Sequence, residues 1–441
     1  MRILRRLGLV AAIGALGALV ALPAASQAAG PAPLPGNFHW GVAGSAFQSE
    51  GSTPRTNWNI YIDRDGSGKA PYGEAVDFFH RYRSDIRRAA ELGIDTFRIS
   101  INWARVEPRP GKFSERGLRF YDNVLDAMAA HGIRPVVTLN HWDYPAWIYR
   151  QGGWQNPDTA DDFEALTRKI VSRYRQPVRD WITFNEQFFY QYLEAGNFPL
   201  DEAGTEAMQE NMVAAHRRAY GLIHRIDPRS RVTSNYAWSG VGPLADSNAD
   251  PFLDAIEDKL DYIGLDYYYP AYDQISTLIE LANNTSWEAQ LDPFGMYAAL
   301  RSMHRSYPGL PIVITENGMP TENGMPRADG WTREDDLRDT LYWVQRARDD
   351  GVPVEGYYYW SLTDNYEWGS YVPRFGLYSV DAVGDPDLKR VPTAAVDVYR
   401  RAIRRGGVPR GYEPTRPTDS ADCMTATVDP ADRDVCLAAS S

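Results

Sequence analysis

Cysteine is nearly missing from this chain of 441 residues: there are two, Cys423 and Cys436, both close to the C terminus. That scarcity excludes a disulfide-built scaffold, and no paired Cys spacing of a zinc site occurs. Histidine is also sparse, with seven scattered residues and no His-Glu-x-x-His pattern. No Gly-rich phosphate loop follows a strand-like run, and no Gly-x-Ser-x-Gly elbow marks a serine hydrolase. These gaps argue against metal, nucleotide and serine-triad chemistry, and the sequence calls for no cofactor and no metal. Positive charge is short as well. With 46 Lys and Arg against 58 Asp and Glu, the net charge is −12, which argues against a nucleic-acid partner. Long apolar runs are lacking except at the start, and no long-period repeat is present.

The N terminus is the exception. Arg2, Arg5 and Arg6 precede an apolar run from Leu7 to Leu22, followed by small residues ending Ser26-Gln27-Ala28. This is the pattern of a cleavable secretory signal over residues 1–28, too short for a spanning helix and followed by residues that suit a signal peptidase. The expectation is a secreted or periplasmic protein with no stable membrane span once the signal is removed. Losing the three arginines takes the net charge from −12 to −15. In an oxidising compartment Cys423 and Cys436 can close a small loop that staples the tail alone.

Between these ends the apolar pattern alternates between strand and helix periods, the mark of βα units and a parallel sheet. Eight strands are predicted: Phe38–Phe47, Thr96–Trp103, Arg134–His141, Asp180–Asn185, Arg231–Trp238, Asp261–Tyr268, Pro311–Thr315 and Gly356–Leu362. Helices are predicted over Ala75–Leu92, Ser114–His131, Thr159–Tyr174, Glu206–Ile226, Phe294–Ser306, Arg333–Asp349 and Thr393–Arg405, with a short one near Asp250–Lys259. Eight alternations favour an α/β fold closed into a (β/α)8 TIM barrel over residues 29–406. From residue 407 to 441 Pro, Asp, Thr and Ser dominate, and the segment reads as a tail rather than a second domain. Oligomeric state has no signature in the chain.

Two glutamates close apolar runs: Glu186 ends Asp-Trp-Ile-Thr-Phe-Asn-Glu and Glu316 follows Pro-Ile-Val-Ile-Thr. Either alone is ordinary, because a glutamate after a strand is commonly a solvated loop residue. Two carboxyls at the ends of distant barrel strands are how such a fold builds an acid–base and nucleophile pair for glycoside cleavage. The residue types Thr315 to Pro320 recur at once from Thr321 to Pro326, which adds Glu322 as a rival to Glu316. Strand context favours Glu316, since Glu322 follows Gly318 and Pro320 and is expected on a mobile loop that cannot hold a nucleophile in place.

Motifs spread from Phe38 to Asp381 resemble family 1 of the glycoside hydrolases, the β-glucosidase family. The resemblance rests on Phe38-His39-Trp40-Gly41, Gln48-Ser49-Glu50-Gly51, Phe97-Arg98-Ile99-Ser100, Thr138-Leu139-Asn140-His141-Trp142 and Thr183-Phe184-Asn185-Glu186. It continues in Tyr359-Trp360-Ser361-Leu362, Asp364-Asn365-Tyr366-Glu367-Trp368 and Arg374-Phe375-Gly376-Leu377. It implies a retaining hydrolase, with Glu186 as acid–base, Glu316 as nucleophile, and Arg98 and Tyr268 beside Glu316. Arg98 is expected to hold Glu316 ionised, and that charge to keep Glu186 protonated. It further implies sugar recognition by Gln48, His141, Trp142, Asn185, Glu367 and Trp368, with Trp360 under the sugar ring. Partners are then β-glycosides or short oligosaccharides, cleaved at terminal β-D-glucosyl residues, with galactosyl and fucosyl as further candidates. The acidic Glu367 disfavours 6-phosphorylated sugars.

Three positions depart from the family pattern: Asp266 stands where asparagine is usual, Gln187 replaces a proline, and Phe188 to Thr205 lacks the usual Gly-rich loop. An extra carboxylate at Asp266 is expected to raise the pKa of Glu316 unless a cation neutralises it. A transglycosylase uses the same residues; a carbohydrate-binding protein on a disabled barrel is opposed by the retained Glu186, Glu316 and Arg98; an endo-acting enzyme is opposed by Glu367 and Trp368.

Overall fold

A computed structural model describes residues 30–238, 251–270, 280, 283, 285–416, 418, 423–424 and 430–439. The signal-like leader and Asp250 lie outside the described residues. Short runs of β-branched and aromatic residues form β1 (His39–Ala43), β2 (Thr96–Ser100), β3 (Arg134–Asn140) and β4 (Asp180–Phe184). They continue as β5 (Arg231–Thr233), β6 (Asn235–Ala237), β7 (Ile263–Asp266), β8 (Ile312–Asn317), β9 (Thr321–Glu322), β10 (Val354–Trp360) and β11 (Pro373–Arg374).

Nine of these form one sheet in the order β5-β4-β3-β2-β1-β10-β8-β7-β6, and every pairing in it is parallel. The strand predicted over Arg231–Trp238 is split at Ser234: β5 pairs with β4, and β6 pairs with β7. The ends of the sheet therefore meet in one stretch of chain, and the eight-unit barrel closes. The Ser234 hydroxyl donates to the Phe184 carbonyl at 2.9 Å, which holds the break against β4.

Side chains alternate across the barrel wall, as the two-residue period of a strand requires. Tyr357 and Tyr359 of β10 join the large core between barrel and helices, whereas Tyr358 and Trp360 join a small inner cluster with Ala43, Val136, Ile182 and Val313. On β2, Phe97 and Ile99 face the outer core. Arg98, between them, is buried and available to the interior.

Several predicted boundaries shift because a polar cap turns the chain early. The first strand stops at Ala43, since Ser45 caps a short helix, Ala46–Ser49, by accepting from the Gln48 N–H. The second stops at Ser100, and Asn102 caps Trp103–Val106. The helix expected from Ala75 begins at Phe78 because Ala75 and Asp77 adopt positive φ of 49° and 57°. Asp201 caps a longer helix than predicted, Glu202–Ile226. The segment after Glu186, read from sequence as a loop, is largely helical over Gln187–Asn197.

The described parts of the tail pack on the barrel. Asp339 accepts from the Thr415 N–H at 2.9 Å, and Arg416 lies 5.0 Å above the Trp331 ring. Cys423 and Cys436 are joined in a disulfide, and both are buried. Among the described residues, no helix is long and apolar enough to cross a membrane.

Close packing inside the barrel gives a direct test. A Cβ on Gly41 would fall 2.5 Å from the Tyr358 ring and 2.9 Å from the Thr96 carbonyl. Gly41→Ala should cost about 1–3 kcal/mol, read as a lower denaturant midpoint; an unchanged midpoint contradicts this packing.

Candidate active site

The strand ends converge on a buried carboxyl cluster. Glu316 lies within β8 rather than just past it as predicted, paired with Asp266 of β7, while the β10 pairing shifts register from Ile314 to Asn317 around it. The Arg98 guanidinium, rising from β2, donates through Nη1 to Glu316 Oε1 at 2.5 Å. Tyr268, just past β7, donates its hydroxyl to Glu316 Oε2 at 2.7 Å. Both carboxylate oxygens are thus engaged by fixed donors. A Cβ at Gly318 would fall 1.9 Å from the Trp360 carbonyl, so glycine here lets the chain after Glu316 pass against β10.

Glu186 follows β4 and takes a left-handed conformation, φ 38°, immediately before the helix Gln187–Asn197. Asn185 beside it links three groups: its carbonyl oxygen Oδ1 accepts from Arg98 Nη2 at 2.5 Å, and its Nδ2 lies 3.3 Å from Glu186 Oε2. Its backbone carbonyl accepts from Trp142 Nε1 at 2.8 Å. Trp142 therefore braces the strand end while packing 4.7 Å from the Trp368 ring.

Carboxylate oxygens of Glu186, Asp266 and Glu316 lie within 4.8 Å of one another, and all three residues are buried. Burial pushes Glu186 well above the ordinary carboxyl range, with the Glu316 and Asp266 charges adding and Arg98 opposing. Burial likewise lifts Asp266 well up, helped by Glu316. Glu316 is also raised, because burial outweighs Arg98 and Tyr268. Arg98 favours the ionised form of Glu316, as expected, but burial outweighs it, and the rise expected from Asp266 occurs with burial as its largest cause. Its two donors oppose that rise and favour its ionised form.

A hard cation could take this oxygen set. Donors already engage it: Thr315 Oγ1 at 2.5 Å and Asn235 Nδ2 hold the two Asp266 oxygens, while Arg98 and Tyr268 hold those of Glu316.

A second polar group lies beyond Trp360. Gln48 Nε2 donates to Glu367 Oε2 at 2.9 Å, and Trp360 Nε1 approaches Glu367 Oε1 at 3.3 Å. Ser45 fixes the Gln48 amide from behind at 2.6 Å. The His141 ring stacks between Trp360 and Trp368, at 5.8 Å and 5.9 Å. Burial and Arg98 hold the imidazole neutral. Its Nδ1 is buried without a protein partner among the described residues, a polar atom left for a ligand hydroxyl.

All eleven residues singled out from sequence thus fall into one connected arrangement. Glu322 does not: it is exposed on β9, paired with β11 in a short antiparallel ribbon rather than on an unpaired loop. Sequence reasoning missed Asn235, whose amide donates to Asn185 Oδ1 at 2.9 Å and to Asp266. It also missed Thr138, which accepts from Arg98 Nε at 3.0 Å. A polar residue at a barrel strand end was the available signal for Asn235.

Glu367 gives the site a measurable pH signature. Its carboxyl is pushed from 4.5 to about 8, chiefly by burial. A raised folded-state pKa contributes stability that is present below pH 4.5 and lost as pH rises through about 8. Glu367→Gln should therefore lose less melting temperature across that interval than the parent; equal losses contradict the assignment.

Comparison with known proteins agrees with this geometry. The chain matches the profile of Glycosyl hydrolase family 1 over residues 31–273 and 253–408. It is 30% identical to thermostable beta-glucosidase B of Thermobispora bispora, covering 88% of this chain and 94% of that protein. It is 27% identical to an aryl-phospho-beta-D-glucosidase of Bacillus subtilis, covering 86% and 98%. The structure of a beta-glucosidase from Thermotoga maritima in complex with azafagomine superposes with a TM-score of 0.73 at 25% identity, over 86% of this chain and all of that one. With two carboxyls facing each other at the mouth of a closed parallel barrel and this match along most of its length, the chain belongs to glycosyl hydrolase family 1, as a retaining β-glycosidase.

Proposed function

We propose that the protein is an exported, exo-acting β-glycosidase that removes terminal non-reducing β-D-glucosyl units from unphosphorylated glycosides or short oligosaccharides, with galactosyl and fucosyl as secondary sugars. One observation carries the mechanism: Glu316, bound at both oxygens by Arg98 and Tyr268, has a carboxylate within 4.8 Å of that of Glu186. Retaining cleavage requires carboxyls about 5–5.5 Å apart.

Glu316 attacks the anomeric carbon while Glu186, protonated through burial and neighbouring charge, delivers its proton to the departing oxygen. Once the glycosyl–Glu316 ester forms, its negative charge is gone, and Glu186 takes a proton from the incoming water. Asn185, tied to both Arg98 and Glu186, is placed to hold a sugar hydroxyl as charge develops. Gln48, Glu367 and the free His141 Nδ1 offer donors and acceptors to the outer hydroxyls, and the Trp360 indole suits the apolar sugar face.

The Glu367 carboxyl, held by Gln48 and Trp360, offers acceptors to a sugar hydroxyl but no cation to a 6-phosphate, which supports an uncharged sugar. The basic, apolar leader at residues 1–28 and the Cys423–Cys436 bond support export.

A panel of aryl β-glucoside, galactoside, fucoside and glucoside 6-phosphate tests the reading. Glucoside turnover should lead, and the phosphorylated sugar should be the poorest. Glu316→Gln should lower kcat/KM by roughly three orders of magnitude, with Glu322→Gln near the parent. The opposite ranking of the two variants contradicts Glu316 as nucleophile, and preference for the 6-phosphate contradicts the role given to Glu367.

A further inference from the structure

The third carboxyl is unexplained by the two-glutamate reaction. Asp266 ends β7, is fully buried, and has an oxygen within 4.8 Å of both Glu186 and Glu316. Its orientation is fixed: Thr315 Oγ1 reaches one oxygen at 2.5 Å, and the Asn235 amide reaches the other. The same amide binds Asn185, which contacts Glu186 and Arg98, so Asp266 is wired into the strand end that carries Glu186.

The groups acting on Asp266 are Asn235 of β6 and Thr315 of β8 by hydrogen bonds, and Arg98 from β2, Glu186 after β4, Glu316 of β8 and Tyr268 of its own segment by charge. Three buried carboxyls therefore share one guanidinium. With Glu316 ionised against Arg98, two further negative charges would sit side by side in a low-dielectric interior, which is strongly unfavourable.

We propose that Asp266 and Glu186 hold a single proton between them, making Asp266 the positioning residue that sets the protonation state and base strength of Glu186. The inference rests on Glu186 and Glu316 acting as the acid–base and nucleophile pair. In the free enzyme the site carries Arg98 positive, Glu316 negative and one negative charge on the Glu186–Asp266 pair. When the C1–O bond to the leaving group breaks and the C1–Oε bond to Glu316 forms, the shared proton leaves on the departing alcohol. Glu316 is then a neutral ester, while Glu186 and Asp266 are both ionised, and the total charge is unchanged. The charge on Asp266 makes Glu186 a stronger base toward the water that breaks the ester, and the water proton restores the shared state. The upward displacement of both carboxyls fits this arrangement.

The test is the pH dependence of kcat/KM on the preferred aryl β-glycoside for the parent and Asp266→Asn. The acidic limb reports Glu316 ionising and the alkaline limb Glu186 losing its proton. Removing the Asp266 charge should move both limbs in the same direction, about one pH unit toward acid. Limbs that stay in place, or move toward alkali, overturn the proposal. A measurement without substrate keeps it decidable if Asp266→Asn does not fold, and separates its failure from failure of the glycosidase reading. In protein labelled with 13C at aspartate carboxyls, one aspartate midpoint should change when Glu186→Gln removes the proton partner. No aspartate midpoint responding to that substitution overturns the proposal.

Discussion

The ion pair between Arg98 and Glu316 is the interaction on which the site depends. Both side chains are withdrawn from water, Arg98 1% and Glu316 4% exposed. Such a pair stabilises little by itself, because the desolvation of both ions offsets most of their attraction. Its value lies in specificity. The guanidinium reaches Thr138, Asn185, Asn235 and Glu316 at once, tying together residues in or next to four strands. Losing either partner would leave an uncompensated buried charge, a loss of about 3–5 kcal/mol.

The barrel exists in a form that makes this pair possible. Alternation along β2 sends Phe97 and Ile99 outward and leaves Arg98 for the interior. The break at Ser234 lets one segment pair with β4 and then β7, which brings Asn235 next to both Asn185 and Asp266. Glycines at the inner wall permit large aromatics to fill it: Tyr358 packs where Gly41 has no side chain. Trp360 then closes the inner cluster at the mouth, with His141 stacked against it. The polar site is held by the same strands that bury the apolar interior, so small repacking errors there would be transmitted to the carboxyl geometry.

Much of this was legible in the sequence, because the strands are short, apolar and end in polar residues. Glu186, Glu316 and Arg98 announce themselves by interrupting or closing such runs. Boundaries were less legible where one capping side chain, such as Ser45 or Asn102, outweighs the strand propensity of its neighbours. The helix Gln187–Asn197 was missed because its aromatic residues carry no strong helical preference, and contacts decide it: Tyr61 donates to Glu194 at 2.9 Å. The main cause of the upward shift of Glu316 was invisible for another reason, because the sequence pointed only to Asp266 for such a rise. Sequence supplies the partner Arg98 but not the depth of burial, and burial proved the larger effect. Asp266 was visible as a departure, yet its two donors become apparent only when β6 and β8 are side by side.

The central claim is that Glu316, and no other carboxylate, forms the bond to the sugar. The most direct measurement is to trap that bond with a 2-deoxy-2-fluoro β-glycoside bearing a good leaving group, then locate the label by peptide mass mapping. The account predicts one sugar per chain, carried on the peptide containing Glu316 and absent after Glu316→Gln. A label on Glu186, Asp266 or Glu322 would contradict it.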